Sequence, residues 1–438
     1  MKICLCACIA VAAGYGIWAM DGVGDAGERI VVPAGVHERK PFVLKSNMTL
    51  ELSDGAVLLA STNIADYAAQ EGGRCFIFAE DATNVAIVGK GTIDGRGWAF
   101  RERTGLAGES QPQALPIMMR FSRCRDVRLE GFTYRDCGAW GCHLRNCDGV
   151  TVRRVTCFSH VNNTNDGIDI ESSNVVVEDC DIDSDDDALV FKTESDKTFP
   201  VTNVVVRNCR LASCCSALKF GTGSYCDFRD IRIENCRFDR PKGNFRFDWK
   251  KTFADRGVRE DLTGLSGMSL EVVDGGSMEN VTIRDIELAG YIVPIFIRLA
   301  RRHEATDLRG SYMRNILVEN VKGACATSRN GCSITGVPGL RPSGITLRNV
   351  SLAFPGGGTE ADRDLAVPEL ERDYPEGVMF GRNLPAWAFY LRHVDNVVFD
   401  HVNLVLEEAD ARRMIVEEDI RHGGCCGKAG AVAQPPPH

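Results

Sequence analysis

Two acidic segments lie about one repeat apart in this chain, and their side chains suit acid–base chemistry. The first, residues 162–169, contains Asp166, and the second, residues 184–187, ends in two adjacent aspartates. The segments occupy matching places in consecutive copies of a repeated strand unit, so stacked copies would bring them within roughly 5 Å. Hydrolysis of a glycosidic bond requires two carboxyl groups. The spacing therefore predicts a carboxylate-lined site for glycoside hydrolysis.

The adjacent pair Asp186 and Asp187 would face Asp166 across one strand spacing. Carboxylates at such short range suppress each other's ionisation, so one of them can keep a proton near neutral pH. A protonated carboxyl group can act as general acid, while an ionised neighbour activates water. Aspartates at β-turns also cap backbone groups through Asx turns, and this alternative stays open for all three residues.

The elements that would position these aspartates are repeated strands. Each copy is a short, β-branched strand that begins at Asn, Asp or Gly, and the closest copies are roughly 23 to 29 residues apart. The copies begin at Asn84, Asp126, Gly149, Asn174, Asn203, Asp230, Asn280, Asn315, Gly344 and Asn396. Helical repeats would need a periodicity of about 3.6 residues and leucine-rich repeats a Leu-x-x-Leu-x-Leu pattern, and the chain shows neither. A propeller would need blades of about 40 residues at a uniform period. We therefore predict an all-β fold, a parallel β-helix in which each coil buries its apolar face on its neighbours.

The chain ends differ from the repeats. Residues 3–13 are apolar and small, which predicts a short secretory signal, although a cap of the β-helix would have the same composition. We expect residues 1–24 to be a signal peptide or N-terminal cap, 25–421 the β-helix catalytic domain and 422–438 a disordered tail. A signal peptide implies a secreted or periplasmic protein. The apolar run is too short to span a membrane.

The net charge and the positions of the cysteines exclude some classes of partner and cofactor. The net charge of −9 over 438 residues gives no basic surface for nucleic acid. The chain has 19 cysteines, and four of them share one slot of the repeat, which predicts a ladder of reduced, buried thiols. These four are Cys147, Cys180, Cys209 and Cys236. The adjacent cysteine pairs lack the spacing of a zinc site, and we expect no metal and no cofactor.

Several short segments follow one another along most of the chain. They are residues 32–35 (VPAG), 44–47 (LKSN), 91–95 (GTIDG), 165–169 (NDGID), 186–192 (DDALVFK), 294–299 (PIFIRL) and 354–358 (FPGGG). In this order they resemble glycoside hydrolase family 28, the polygalacturonases and rhamnogalacturonan hydrolases, and in particular its bacterial branch. The resemblance implies a right-handed, pectin-lyase-like parallel β-helix that folds as a single domain.

The resemblance also implies an activity and roles for three residues. The activity is inverting hydrolysis of pectin-type polysaccharide that contains galacturonate or rhamnogalacturonan. Asp186 would be the general acid, whereas Asp166 and Asp187 would position and deprotonate water. The expected partner is an acidic polysaccharide or oligosaccharide, and the protein is expected to act as a monomer.

Three basic residues are candidates for substrate binding. Lys192 lies six positions beyond Asp186, an even spacing that places both on one face of a strand. Lys219 follows in the next coil, and Arg246 matches the substrate-binding Arg-Ile-Lys segment of the family. Cations beside a carboxylate cleft suit a carboxylated sugar. Salt bridges to the aspartates themselves are the alternative.

Asp169 and His160 are weaker candidates for substrate binding. Asp169 lies three positions beyond Asp166 and would point to the opposite face of a regular strand. A bend at Gly167 would bring it into the site, so a structural and a site role both stay open. His160 precedes the first acidic segment and would either reach the cleft or support the turn.

The chain departs from the family at two places. The Gly-His-Gly segment aligns with residues 215–217 (CSA), and the lysine of Arg-Ile-Lys aligns with Asp248. We therefore expect an altered glycan. Trp140, Trp249 and Trp387 are candidates for stacking on sugar rings, with packing beneath a loop as the alternative. The insertion at residues 368–385 is expected to form one rim of the cleft, or else a solvated acidic face.

Two other functional classes stay open. A Ca²⁺-dependent pectin lyase would bind calcium through oxygen atoms of the Asp-rich turns, and a basic residue would abstract a proton. A non-catalytic glycan-binding solenoid would account for the missing histidine.

Overall fold

The computed structural model describes residues 27–68, 72–103, 115–162, 164–243, 263–303, 310–327, 330–381, 383–421 and 432–434. The prediction of an all-β fold is confirmed within these ranges. Helix is limited there to two 3₁₀ segments, Ile64–Asp66 and Gly97–Arg103, and to α1, Glu360–Arg363. Arg246, Asp248 and Trp249 lie outside the described residues, as do residues 1–24 and most of the expected tail. Within the expected tail, Val432–Gln434 form a strand that pairs in parallel with Asn403–Leu406, so the prediction of a disordered tail is wrong for these three residues.

The described strands follow in chain order. The first ten are β1 Arg29–Val32, β2 Gly35–Arg39, β3 Phe42–Val43, β4 Thr49–Leu52, β5 Ala56–Ala60, β6 Cys75–Glu80, β7 Thr83–Gly89, β8 Thr92–Asp94, β9 Ile117–Ser122 and β10 Arg125–Glu130. The next ten are β11 Thr133–Arg135, β12 Cys142–Arg153, β13 Thr156–Ser159, β14 Ile168–Glu178, β15 Asp181–Ser184, β16 Leu189–Thr193, β17 Val201–Arg207, β18 Arg210–Ser213, β19 Ser216–Ser224 and β20 Phe228–Asp239. The last nine are β21 Gly264–Val272, β22 Met278–Leu299, β23 Met313–Cys325, β24 Cys332–Thr335, β25 Ser343–Phe354, β26 Ala386–Asp400, β27 Asn403–Leu406, β28 Arg413–Arg421 and β29 Val432–Gln434.

The strands of successive coils pair in parallel, and the predicted repeats are in register. Val127 of β10 pairs with Val85 of β7 on one side and with Val150 of β12 on the other. The same row continues through Val175, Val204, Ile231, Val281, Ile316, Ile345 and Val397. Each of these apolar side chains is buried, so the row forms one continuous inner layer.

The turn residue that opens each repeat has a left-handed backbone. Asn174 and Asn203 have φ angles of 57° and 54°, a region that asparagine and glycine tolerate and that β-branched residues avoid. The Asn203 side-chain amide donates to Asn174 Oδ1 at 2.7 Å, and Asn315 donates to Asn280 Oδ1 at 2.6 Å. The opening asparagines therefore fix the bend and also link neighbouring coils.

The predicted cysteine slot is a buried row of free thiols. Cys147, Cys180, Cys209 and Cys236 are all buried and free, and the Cys180 and Cys209 thiols lie against backbone carbonyls of the coil. Small apolar side chains fill this part of the interior, as the repeat predicts.

The insertion before β26 packs against the outer face of the coils. Val378, Met379 and Phe380 form a second apolar cluster with Phe296 and Tyr390 of the coil strands. Two buried arginines anchor the same insertion through its backbone. Arg298 donates to the carbonyl of Glu369 at 2.8 Å, and Arg392 donates to the carbonyl of Val367 at 2.7 Å. The insertion is thus held beside the turns that carry the aspartates. Among the described residues, no helix has the length and apolar character needed to cross a membrane.

Candidate active site

The three candidate catalytic aspartates lie in two stacked turns. Asp166 precedes β14, and Asp186 and Asp187 precede β16, the strand that pairs with β14 in parallel. The Gly167 amide donates to the Asp187 carbonyl at 2.9 Å, which joins the two turns directly. All three aspartates line one cavity of about 300 Å³. The repeat spacing therefore predicted their proximity correctly.

Asp186 is the partly exposed member of the group. Burial raises the pKa of Asp186 well above its ordinary value, and the neighbouring carboxylates of Asp166 and Asp187 raise it further. The Asp187 amide donates to Asp186 Oδ1 at 3.0 Å, which fixes the orientation of this carboxyl group. A carboxyl group that keeps its proton at the wall of a cavity can protonate a leaving oxygen.

Asp187 faces a backbone amide and an ammonium group. Its Oδ1 accepts a hydrogen bond from the Ser216 amide at 3.1 Å, and its Oδ2 lies 3.3 Å from the Lys219 ammonium. Donors of this kind stabilise the charged form of a carboxylate. Asp186 and Asp187 are consecutive residues, yet Asp186 lies beside two other carboxyl groups, whereas Asp187 also lies against the Lys219 ammonium.

Lys192 lies in the cavity wall, but its ammonium is occupied by protein carboxylates. It lies 2.8 Å from Asp166 Oδ2 and 2.7 Å from Asp169 Oδ1, and 3.8 Å from the centre of the Trp140 ring. The salt-bridge alternative therefore describes Lys192 in this structure. Asp169 is fully buried on the same side as Asp166, because regular strand β14 begins only at Ile168.

Lys219 is buried behind the aspartates, with 2% of its surface exposed. Its ammonium lies 3.3 Å from Asp187 Oδ2 and 3.5 Å from Glu376 Oε1 of the insertion. The charge of Lys219 is directed at protein carboxylates inside the wall, as the salt-bridge alternative describes, and contact of Lys219 with substrate stays a prediction.

His160 contacts the acidic turn, which is one of its two predicted places. Its Nδ1 lies 2.7 Å from Asp185 Oδ1 and its Nε2 lies 2.8 Å from Asp183 Oδ1, and the side chain is buried. Burial acts to lower the pKa of His160, but the hydrogen bonds to Asp183 and Asp185 raise it to about 11. Both ring nitrogens contact protein carboxylates, as the alternative of a turn-supporting histidine describes, and contact of His160 with substrate stays a prediction.

The aromatic candidates divide between cleft and core. Trp140 lines the cavity, and its ring meets that of His143 edge-on at 4.9 Å. Trp387 is buried in the core, where its ring packs edge-on against Phe354 at 5.5 Å. Ser216, at the aligned histidine position, is buried, and its backbone amide donates a hydrogen bond to Asp187 Oδ1 at 3.1 Å.

Two further residues line the cavity, Tyr374 and Glu194, and neither was among the predicted site residues. Tyr374 of the insertion lines the cavity and is 51% exposed, in agreement with the expected rim. Glu194 also lines the cavity, and burial raises its pKa. Glu194 lies two positions beyond Lys192, so the same even spacing could have identified it. Glu376 has no local sequence signal, since its partner Lys219 is 157 positions away.

Comparisons with known proteins agree with this geometry. The family model for glycosyl hydrolases family 28 matches residues 24–246. A probable polygalacturonase of Vitis vinifera is 28% identical over 355 residues, which cover 75% of this chain and 67% of that protein. An exo-poly-alpha-D-galacturonosidase of Dickeya chrysanthemi is 43% identical over 107 residues, 20% of this chain and 17% of that protein.

A solved structure shows the same fold at low sequence identity. The family 28 exopolygalacturonase of Yersinia enterocolitica superposes with a TM-score of 0.67 and 18% identity, over 92% of this chain and 74% of that chain. The family match covers half of the sequence and includes both stacked turns. The chain therefore belongs to glycosyl hydrolases family 28.

Proposed function

We propose that this family 28 enzyme hydrolyses pectin-type polysaccharide, containing galacturonate or rhamnogalacturonan, with inversion at the anomeric carbon. Asp186 acts as the general acid, and Asp166 and Asp187 position and deprotonate the attacking water. The observation that carries the proposal is that these three carboxyl groups, from two stacked turns, line one cavity.

The electrostatic arrangement supports this division of roles. Desolvation raises the pKa of Asp186, so it can carry the proton that the leaving oxygen needs. Asp187 faces the Lys219 ammonium and a backbone amide, which favour its basic form. Inversion requires that the base and the acid act from opposite sides of the sugar, with room for water between them.

The substrate class rests on the relatives. The grapevine and Dickeya proteins are named as a polygalacturonase and a galacturonosidase. The serine at the aligned histidine position leaves the glycan itself to be identified. We propose that the true substrate is a pectic oligosaccharide or polysaccharide whose sugar composition differs from plain polygalacturonate.

The lyase alternative is less well supported by the contacts. Calcium needs several free oxygen ligands, whereas Lys192 already contacts Asp166 and Asp169, and Lys219 contacts Asp187. A lyase would release an unsaturated product that absorbs in the ultraviolet, and a chelator would abolish its activity.

The decisive variant is Asp186→Asn, which removes the acidic proton and conserves shape. Purified protein is incubated with a panel of pectic oligosaccharides, and reducing ends and product masses are measured. We expect loss of turnover in Asp186→Asn with an unchanged thermal unfolding curve. Asp54→Asn, at an exposed turn, is the matched control. Full turnover by Asp186→Asn would overturn the proposal, and binding without product release by the native protein would favour the non-catalytic alternative.

We also infer the properties that follow from family membership and from the chain ends. These are a right-handed coil, a single catalytic domain over residues 25–421, a signal peptide or cap at 1–24, a secreted or periplasmic location and a monomeric state. Sedimentation measures the last of these, and N-terminal sequencing of exported protein tests the signal peptide.

A further inference from the structure

Lys219 connects the catalytic turn to the insertion. It lies in β19, one coil beyond Asp187, and its ammonium contacts Asp187 Oδ2 at 3.3 Å and Glu376 Oε1 at 3.5 Å. Only 2% of its side chain is exposed, and Glu376 is also buried. Burial acts to lower the pKa of Lys219, but the carboxylates of Asp187 and Glu376 raise it well above its ordinary value, so the ammonium stays charged.

A third acid, Glu271, lies in the same cluster but is uncharged near neutral pH. Its Oε1 accepts a hydrogen bond from Ser269, the residue that pairs with Lys219 across the coils. Burial raises the pKa of Glu271 to about 8. The charge of Lys219 is therefore shared between Asp187 and Glu376, one from the catalytic turn and one from the insertion.

We infer that Lys219 is a positioning residue that keeps Asp187 ionised as the base, and that Glu376 weakens this effect by sharing the same ammonium. The insertion thereby helps to set the lower pH limit of activity. The inference rests on the proposed role of Asp187, and it assigns Lys219 a task other than contact with substrate.

The groups around Asp187 determine whether the loss of the Lys219 charge should move the pH profile to higher or to lower pH. Those facing it or its lysine partner are Asp186 in the same turn, Asp166 in the preceding coil, Lys192 in β16, Cys215 beside β19, Glu271 in β21, and Tyr374 and Glu376 in the insertion. Most of them are acidic or neutral. Loss of the Lys219 charge leaves Asp187 among like charges, so it would hold its proton to a higher pH.

The experiment measures kcat/KM against pH for the native enzyme and three variants. In Lys219→Met we expect the acid limb of the profile to move to higher pH by about 1 to 2 units, the usual effect of removing one adjacent opposite charge. Lys219→Arg keeps the charge and should restore the native limb at least in part. In Glu376→Gln the limb should move to lower pH, because the ammonium then serves Asp187 alone.

The opposite pattern would overturn the inference. If Lys219 bound substrate, Lys219→Met would raise KM and leave the acid limb in place. If Lys219→Met does not fold, as judged by circular dichroism, then Glu376→Gln decides: a limb displaced to lower pH supports the inference and an unmoved limb overturns it. Asp186→Asn is assayed in parallel. Activity in that variant refutes the proposed function. If Asp186→Asn is inactive but the acid limb of the pH profile does not move in the Lys219 and Glu376 variants, only this inference is refuted.

Discussion

Lys192 donates a hydrogen bond from its ammonium to Asp166 at 2.8 Å, and both side chains are buried in the wall of the cavity. The same ammonium lies 2.7 Å from Asp169, which is fully buried. One lysine thus contacts two acidic residues, one that lines the cavity and one that lies behind it. The position of Asp166 depends on this lysine.

Replacing Lys192 by methionine should destabilise the protein. The change leaves Asp166 and Asp169 buried without a counter-charge, and breaking a buried pair typically costs about 3–5 kcal/mol. Denaturation by urea measures the loss. The double variant Lys192→Met/Asp169→Asn should recover part of it, and Lys90→Met, at an exposed position, should change little. An unchanged midpoint for Lys192→Met would contradict this account of the wall.

His160→Gln should reduce stability without changing the kinetics of the folded enzyme. The pKa of His160 rises from 6.5 to about 11 on folding. Its charged form therefore contributes stability in full below about pH 6.5, and this contribution declines as pH rises toward about 11. The difference in unfolding free energy between native protein and His160→Gln should be larger at about pH 5.5 than at about pH 8.5.

The control for this prediction is His401→Gln, because the His401 side chain is 81% exposed. It should show little difference in stability at either pH. If His160→Gln instead raised KM severalfold with unchanged stability, His160 would belong to the substrate site after all.

Tyr374→Ala should weaken substrate binding. Tyr374 presents an exposed ring to the cavity, and its hydroxyl lies 3.2 Å from Thr222 Oγ1. An aromatic ring in such a place contributes about 0.5–1.5 kcal/mol beyond its buried area, so KM should rise about 3- to 10-fold. Steady-state kinetics on the best pectic substrate measures the change. Leu365→Ala, at an exposed position three residues before the insertion, should leave KM at the native value.

The repeat was sufficient to predict the fold and the meeting of the two acidic turns. A β-helix places equivalent positions of consecutive repeats one above the other, so spacing along the chain becomes distance in space. Asp166 and Asp187 meet for this reason, and their turns are joined by the Gly167 amide. The even spacing from Asp186 likewise predicted that Lys192 would lie on the cavity side.

The sequence did not predict which partners the polar side chains contact, although these contacts give the polar residues their different roles. Periodicity gives the face on which a side chain lies, but it does not give the partner that its charge finds there. Lys219 pairs with Glu376 across 157 positions because the insertion packs back onto the coil. His160 is held between two aspartates that the pattern places in the turn but does not orient.

The sequence by itself therefore determined a stacked β-structure with three aspartates in adjacent turns, because both depend on a regular local repeat. The tertiary structure decided which carboxylates the lysines contact and which tryptophan ring lines the cavity. Those outcomes depend on side-chain packing and desolvation between segments far apart in the chain, and no local spacing encodes them.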